Sequence, residues 1–367
     1  MPSSEQAGAV LHIDLDALTG NYQRLQREAA GAVCAAVVKA DGYGLGATEI
    51  AETLWTAGCR DYFVAHAFEG ATLRAALPGA AIYVLHGPMP GAEADLPAND
   101  LIPVLNSLAQ IDAWATLARA RGGLDAVLQI DTGMNRIGLP PVEVQALNDD
   151  PSRLDGIRPR YVMSHLACAE DAGSAKNAEQ LALFRRLKAK LPDAPATFAN
   201  SSGIFLGPDY RFELVRTGVA LYGVNPTPER ANPMAEVVRL EGRILQLREI
   251  DTSETVGYGA AYQATGPRRI ATVPVGYADG YFRCLGNHAF ASIGGVRVKV
   301  AGRVSMDLIT LDVTDAPPSA VRVGAPVDLI GGGVPIDEVA AWADTIGYEL
   351  LTSLGHRYHR SFHRGGT

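Results

Sequence analysis

Cysteine is scarce in this 367-residue chain: Cys34, Cys59, Cys168 and Cys284 stand far apart and form no C-x-x-C pair. That spacing argues against a zinc site or a disulfide framework and reads as reduced thiols in a reducing compartment. A block of Lys or Arg is also missing, and the net charge of -8 is spread along the chain. There is therefore no electrostatic footprint for nucleic acid or for an acidic membrane face. No apolar run approaches the roughly 20 residues needed to cross a bilayer. The opening MPSSEQAGAV has neither a basic n-region nor an apolar h-region. The expectation is a cytoplasmic protein acting on a small molecule, with no nucleic-acid, membrane or metal partner.

What is present is a balance of 47% hydrophobic and 20% charged residues, enough to bury a large core. The length suits one α/β barrel of roughly 250 residues plus a second module. From about residue 30 to residue 225 short apolar runs alternate with helix-period segments such as SLAQIDAWATLARARG and AEQLALFRRLKAKL. The candidate strands are AVCAAVVK, DYFVAHA, AAIYVLHG, LIPVLN, DAVLQID, RYVMSH, ATFAN and FELVRTG. Eight βα repeats predict a parallel (β/α)8 barrel of the TIM type over residues 1–231, with the first residues open to packing with the second domain. Its chemistry belongs at the C-terminal strand ends, where Lys39, Asp131, His165, Asn200 and Arg216 fall. After VNPTPERANP the pattern changes to β-branched runs punctuated by Gly and Pro. It predicts a mainly antiparallel β domain over 232–367, closed by one short helix at IDEVAAWADTIG.

The stretch VVKADGYGLGA, residues 37–47, places Lys39 at the end of an apolar strand. Partial desolvation there favours the neutral, nucleophilic amine, which can form a Schiff base. A lone lysine in that position can equally snorkel into water. Gly42, Gly44 and Gly46 permit close backbone approach to a bound group, and Tyr43 brings a hydroxyl suited to an anion. A turn alone would account for the glycines but not for the lysine and the tyrosine.

This segment resembles the cofactor-lysine motif of alanine racemases, pyridoxal-phosphate enzymes built as a barrel plus a β domain. DTGMNRIG (131–138), SHLACAED (164–171), FANSSG (198–203), VRTGVALYG (215–223), VGYGAAY (256–262), VGYADGY (275–281) and GRVSMD (302–307) resemble family segments in family order. The resemblance implies that Lys39 holds pyridoxal 5'-phosphate as an internal aldimine and serves one face of the substrate α-carbon. It implies that Tyr258 serves the other face from a second subunit, supported by His165, Arg216 and Asp307. Racemisation requires two such groups, because a proton leaves one face and returns on the other. Arg216 is implied to face the pyridine nitrogen, where most pyridoxal enzymes have an acid. Tyr43, Asn200, Ser201, Gly218, Val219 and His356 are implied to hold the cofactor. Arg136, the backbone of Met306 and Tyr277 are implied to meet the substrate, with Tyr281 near the entrance. Alone, a GYG tyrosine is a turn residue, Ser201 a turn former and His165 a core histidine as readily as anything else.

Two positions depart from the family pattern. Gln129 stands where many members carry a carbamylated lysine whose charge orients the equivalent of Arg136. His356 stands where a tyrosine often meets the phosphate, and Tyr358 is close enough to compete for that role. The implied activity is interconversion of L- and D-alanine in a homodimer, supplying D-alanine for peptidoglycan. A racemase for serine or other amino acids, a decarboxylase on the same barrel, and a cofactor carrier without turnover are the alternatives. The β domain weighs against the carrier, and VGYGAAY weighs against the decarboxylase.

Overall fold

The computed structural model of the protein describes residues 3–365. The first two residues of the N-terminal stretch read for targeting signals lie outside it, as do 366 and 367. The described residues divide into two compact units, one of residues 19–221 with 225–234 and one of residues 3–18, 222–224 and 235–365.

Strand β1 (Ala9–Asp14) comes first and belongs to the second of these units. The barrel unit then contributes β2 (Val33–Val37), β3 (Asp61–Val64), β4 (Ala81–Val84), β5 (Ile102–Leu105), β6 (Leu124–Gln129), β7 (Ile157–Met163), β8 (Ala196–Thr197) and β9 (Leu214–Thr217). All eight pair in parallel, and β2 against β9 closes the ring. Every apolar run read as a barrel strand forms one. They are strands because β-branched and aromatic residues are buried on both faces, inside the ring and under the helices. The ATFAN run pairs only over Ala196–Thr197; beyond it Ala199 accepts from the Arg216 backbone N–H at 3.0 Å and the chain turns away. Helices Ala47–Thr56, Ala67–Ala76, Leu108–Ala120 and Ala175–Lys188 pack outside. Ser107 caps the third, its hydroxyl accepting from the Gln110 N–H at 3.3 Å. Phe184 of the fourth stacks on Phe198 at 4.8 Å, both fully buried; truncating such a phenyl ring costs about 3–5 kcal/mol.

The second unit holds β10 (Val238–Arg243), β11 (Gln246–Ile250), β12 (Thr255–Val256), β13 (Tyr262–Gln263), β14 (Arg268–Val273), β15 (Phe290–Ile293), β16 (Val296–Val300), β17 (Ile309–Asp312), β18 (Pro326–Ile330) and β19 (His359–His363). Nine of its strands form one sheet in the order β11-β14-β17-β16-β15-β18-β10-β1-β19, antiparallel throughout except for β1 on β19. Strands β12 and β13 form a separate two-stranded sheet.

The single closing helix is corrected. Helix Ile336–Trp342 stops before Asp344, which takes a left-handed φ of 55°. A second helix, Gly347–Ser353, and then β19 follow. Gly347 can start that helix against its neighbour because a Cβ there would lie 2.8 Å from Val224. HRSFH lacks the apolar alternation of a half-buried strand, so only its pairing with β1 defines it as β19.

Candidate active site

The C-terminal ends of β2, β7, β8 and β9 bring four of the sequence-singled side chains to one mouth of the barrel. Two residues beyond β2, Lys39 is half-buried. Desolvation lowers its ammonium below the usual lysine range, and the charges of Arg136 and Arg216 act in the same direction while Glu69 opposes them.

The chain after Lys39 has an unusual conformation. Ala40, Asp41, Gly42 and Tyr43 have φ of 54°, 55°, 61° and 57°, with ψ between 38° and 50°, which is one left-handed turn. Three of the four carry a Cβ, and each such residue costs roughly 1–2 kcal/mol in that conformation. The turn is held by hydrogen bonds from its surroundings. Val38 O accepts from the Gly42 N–H at 2.9 Å, and Asp41 Oδ1 accepts from the Ala47 N–H at 2.9 Å. Glu69 Oε1 accepts from the Ala40 N–H at 2.8 Å.

Arg216, on β9, is 4% exposed. Its guanidinium donates to Thr197 Oγ1 at 2.8 Å and to the carbonyls of Ser164 and Phe198 at 2.8 and 3.2 Å. It lies 3.2 Å from His165 Nδ1. No carboxylate pairs with it among the described residues, and burial pushes it down to about 9. It therefore still carries its charge at neutral pH. Desolvation, reinforced by Arg216, Arg136 and Lys39, pushes the His165 imidazole down to about 3. A neutral ring whose Nδ1 accepts from a guanidinium holds its proton on Nε2. Of this hydrogen-bonded pair Arg216 thus carries the charge and His165 is neutral.

Ser201, Tyr43 and the turn at Gly218 form a second group of polar contacts in the barrel unit. Ser201 Oγ accepts from the N–H groups of Gly218 and Ala220 at 2.9 and 3.4 Å. Tyr43, 6% exposed, sits against Gly218, where a Cβ would lie 2.5 Å from the phenol oxygen. Val219 is buried in the turn that follows. Asn200 is engaged locally, its Oδ1 accepting from the Gly203 N–H at 2.8 Å.

Arg136 projects from a loop closed by pairing of Ile130 with Leu139. Asp131 ties that loop together: its carboxylate accepts from the N–H groups of Gly133, Met134 and Asn135 at 2.8–2.9 Å. Gln129 is 5% exposed and donates to Ile137 O at 3.4 Å. Arg136 is exposed and has no hydrogen bond or ion pair among the described residues. It borders a cleft of about 420 Å³ that His86, Asn106, Gln110 and Glu143 also line. Sequence reasoning passed over Asp131 as a loop tie and Glu69 as a turn clamp. The acid five residues after β3 offered only a helix-start signal.

In the second unit, Tyr258 opens a short turn between Gly257 and Gly259 and is 71% exposed. Tyr277 and Met306 are 42% and 54% exposed, and their turns are joined because the Ala278 N–H donates to Met306 O at 3.0 Å. Gly276 is required there, since a Cβ would lie 2.3 Å from Met306 O. Arg357 donates to both oxygens of Asp279, at 2.5 and 2.8 Å, and to Asp307 at 2.8 Å. Asp307 is thus held by an arginine absent from the sequence-level candidates. His356 is exposed, whereas Tyr281 and Tyr358 are each 1% exposed with hydroxyls that meet no partner among the described residues. No cluster of three or more His, Cys, Asp or Glu suited to a metal occurs among the described residues. No helix among them is long and apolar enough to cross a membrane.

Comparison with known proteins agrees over the whole length. Profiles described as "Alanine racemase, N-terminal domain" and "Alanine racemase, C-terminal domain" match residues 13–226 and 237–362. The chain is 53% identical to a protein named alanine racemase from Methylobacterium nodulans, over 100% of this chain and 99% of that one. It is 50% identical to one of the same name from Rhodospirillum rubrum, over 99% and 98%. The crystal structure of alanine racemase from Bartonella henselae with covalently bound pyridoxal phosphate superposes with a TM-score of 0.94. It is 42% identical to this chain, the match covering 97% of this chain and 99% of that one.

Proposed function

This chain belongs to the alanine racemase family of isomerases, and on that premise we propose that it interconverts L- and D-alanine with pyridoxal 5'-phosphate carried on Lys39. The observation that carries the reading is a desolvated lysine at the same barrel mouth as a buried arginine that pairs with no carboxylate among the described residues. The residues fit the cofactor. Gly218 lets the Tyr43 hydroxyl come close to its backbone, since a Cβ there would lie 2.5 Å from that oxygen, and the hydroxyls of Tyr43 and Ser201 would donate to a phosphate. Arg216 would meet the ring nitrogen, where a donor that stays charged at neutral pH does not hand over its proton. Bound there, the cofactor supplies the electron withdrawal that acidifies the substrate α-carbon.

Lys39 Nζ then moves the proton at one face, and Tyr258 Oη moves it at the other. A lysine already biased towards its neutral form can accept a proton near neutral pH. Arg136, lacking an acid of its own, would hold the substrate carboxylate, and Met306 would add a backbone donor. The large exposed fractions of Tyr258, Tyr277 and Met306 support burial by a second copy of the chain, with the site shared in a homodimer. We place the enzyme in the cytoplasm, where its four free thiols persist and D-alanine would feed peptidoglycan synthesis.

The test is chiral analysis of L-alanine incubated with purified protein and pyridoxal phosphate, beside Lys39→Ala. D-alanine formed only with intact Lys39 is the expected result. Its absence with the cofactor visibly bound would overturn the reading in favour of another amino acid or of a carrier.

A further inference from the structure

Glu69 lies in the first turn of helix Ala67–Ala76, and half of its carboxylate is used as such a residue ordinarily would be. Oε2 accepts from the N–H groups of Ala65 and His66 at 2.7 and 3.0 Å, which caps the helix and fixes the chain leaving β3. The other half does something a cap does not require. Oε1 reaches a segment 29 residues earlier and accepts from the Ala40 N–H at 2.8 Å, directly after Lys39. One carboxylate therefore fastens the first residue of the left-handed turn to the end of the neighbouring strand. We propose that Glu69 is a positioning residue for Lys39: it locks the strained turn that aims the lysine and stands as its negative neighbour.

The charges around Lys39 are unequal. Arg136 and Arg216 both disfavour its ammonium, His86 and His165 share the same surroundings, and among the described residues Glu69 is the carboxylate that favours it. Asp41 directs its carboxylate away, onto the Ala47 N–H. Removing Glu69 would thus loosen the turn and also leave the amine more often neutral. A purely structural cap would do the first without the second.

The role matters for catalysis only if Lys39 is the cofactor lysine, so the test uses apoprotein, where it stands or falls apart from that reading. Glu69→Gln keeps one acceptor oxygen and removes the charge. Glu213→Gln serves as control, because Glu213 likewise accepts from a backbone N–H, that of Ala196 at 2.6 Å, at the N-terminal end of β8. Two readouts are taken: hydrogen exchange of peptides covering 39–47, and the pH profile of Lys39 acylation followed by mass spectrometry. Glu69→Gln should exchange at least tenfold faster at 39–47 with the rest of the barrel unchanged. Its acylation profile should move to lower pH, and the control should do neither. Unchanged protection at 39–47, loss spread evenly over the barrel, or an acylation profile that stays put or moves to higher pH would each overturn the proposal.

Discussion

Substituting Gly218 by alanine tests the proposed phosphate contacts of Tyr43 and Ser201 through a single methyl group. The backbone at Gly218 is not in the left-handed region, so alanine meets no conformational penalty there. The added Cβ would lie 2.5 Å from Tyr43 Oη, 3.4 Å from Tyr43 Cζ and 3.6 Å from Val37 Cβ. Only the first distance is impossible, so the phenol oxygen has to retreat by several tenths of an ångström. Tyr43 has little room to do so, being 6% exposed and part of the left-handed turn. Overpacking of this kind costs roughly 1–3 kcal/mol. In a unit of this size each kcal/mol lowers Tm by about 2–4 °C. Apoprotein calorimetry should therefore show a fall of several degrees, and titration with pyridoxal phosphate should show at least tenfold weaker binding. The decisive control is Tyr43→Phe in the Gly218→Ala background. Removing Oη leaves only ordinary contacts, so the second change should restore most of the lost Tm although it deletes a hydroxyl. If the double variant is as unstable as the sum of the two single ones, the contact between Gly218 and Tyr43 does not limit this site.

Three other outcomes follow from the same geometry. Lys39→Ala and Tyr258→Phe, each inactive alone, should recover about one quarter of normal activity when refolded together, because half of the dimers are mixed and each of these carries one intact shared site out of two; no recovery would place both groups in one chain. Asp131→Asn should raise KM for alanine roughly tenfold, about 1.4 kcal/mol, with a smaller change in kcat, because it loosens the loop bearing Arg136 and leaves Lys39 in place. For His165, the folded state holds the imidazole down to about 3 against an ordinary value near 6.5. The unfolded chain binds the extra proton first, so this contribution to stability is complete above pH 6.5 and is lost as pH falls towards 3. Urea melts at pH 7 and pH 5 should show a smaller loss in His165→Gln than in the parent; equal losses would mean the ring is protonated in the folded protein.

The barrel was legible because its strands announce themselves. VCAAV, DYFV and AIYV are β-branched or aromatic runs buried on both sides, bounded by residues that turn the chain. The C-terminal edge was not, because HRSFH has no apolar period and its identity as β19 comes from β1, some three hundred and fifty residues earlier. Lys39, His165 and Arg216 could be located as strand-end residues, but their electrostatics could not. Nothing in SHLACAED says that His165 stays neutral; that follows from burial beside a guanidinium. Glu69 was invisible for a different reason. Its partners are backbone N–H groups, which leave no trace in residue identity, and the conformation it holds is one that Ala40, Asp41 and Tyr43 do not ordinarily adopt. His356 and Tyr358 differ in exposure, the first open to solvent and the second buried, a difference that their neighbouring positions in the sequence do not reveal.

Strand β1 has a consequence for how the polypeptide is made. It leaves the ribosome first, yet its partners β10 and β19 are encoded after the whole barrel. At about 5–20 residues per second, the apolar Ala9–Asp14 segment waits roughly 10–45 seconds for β10 and longer for β19. During that interval it is an unpaired, aggregation-prone ribbon tethered to a domain that can already close. A clone beginning at the barrel would spare the nascent chain that hazard but leave the sheet with a missing rung, and one encoding only the C-terminal half would lack the same rung. In genetic terms the barrel is an insertion into the sheet unit, and the two cannot be separated by a single cut.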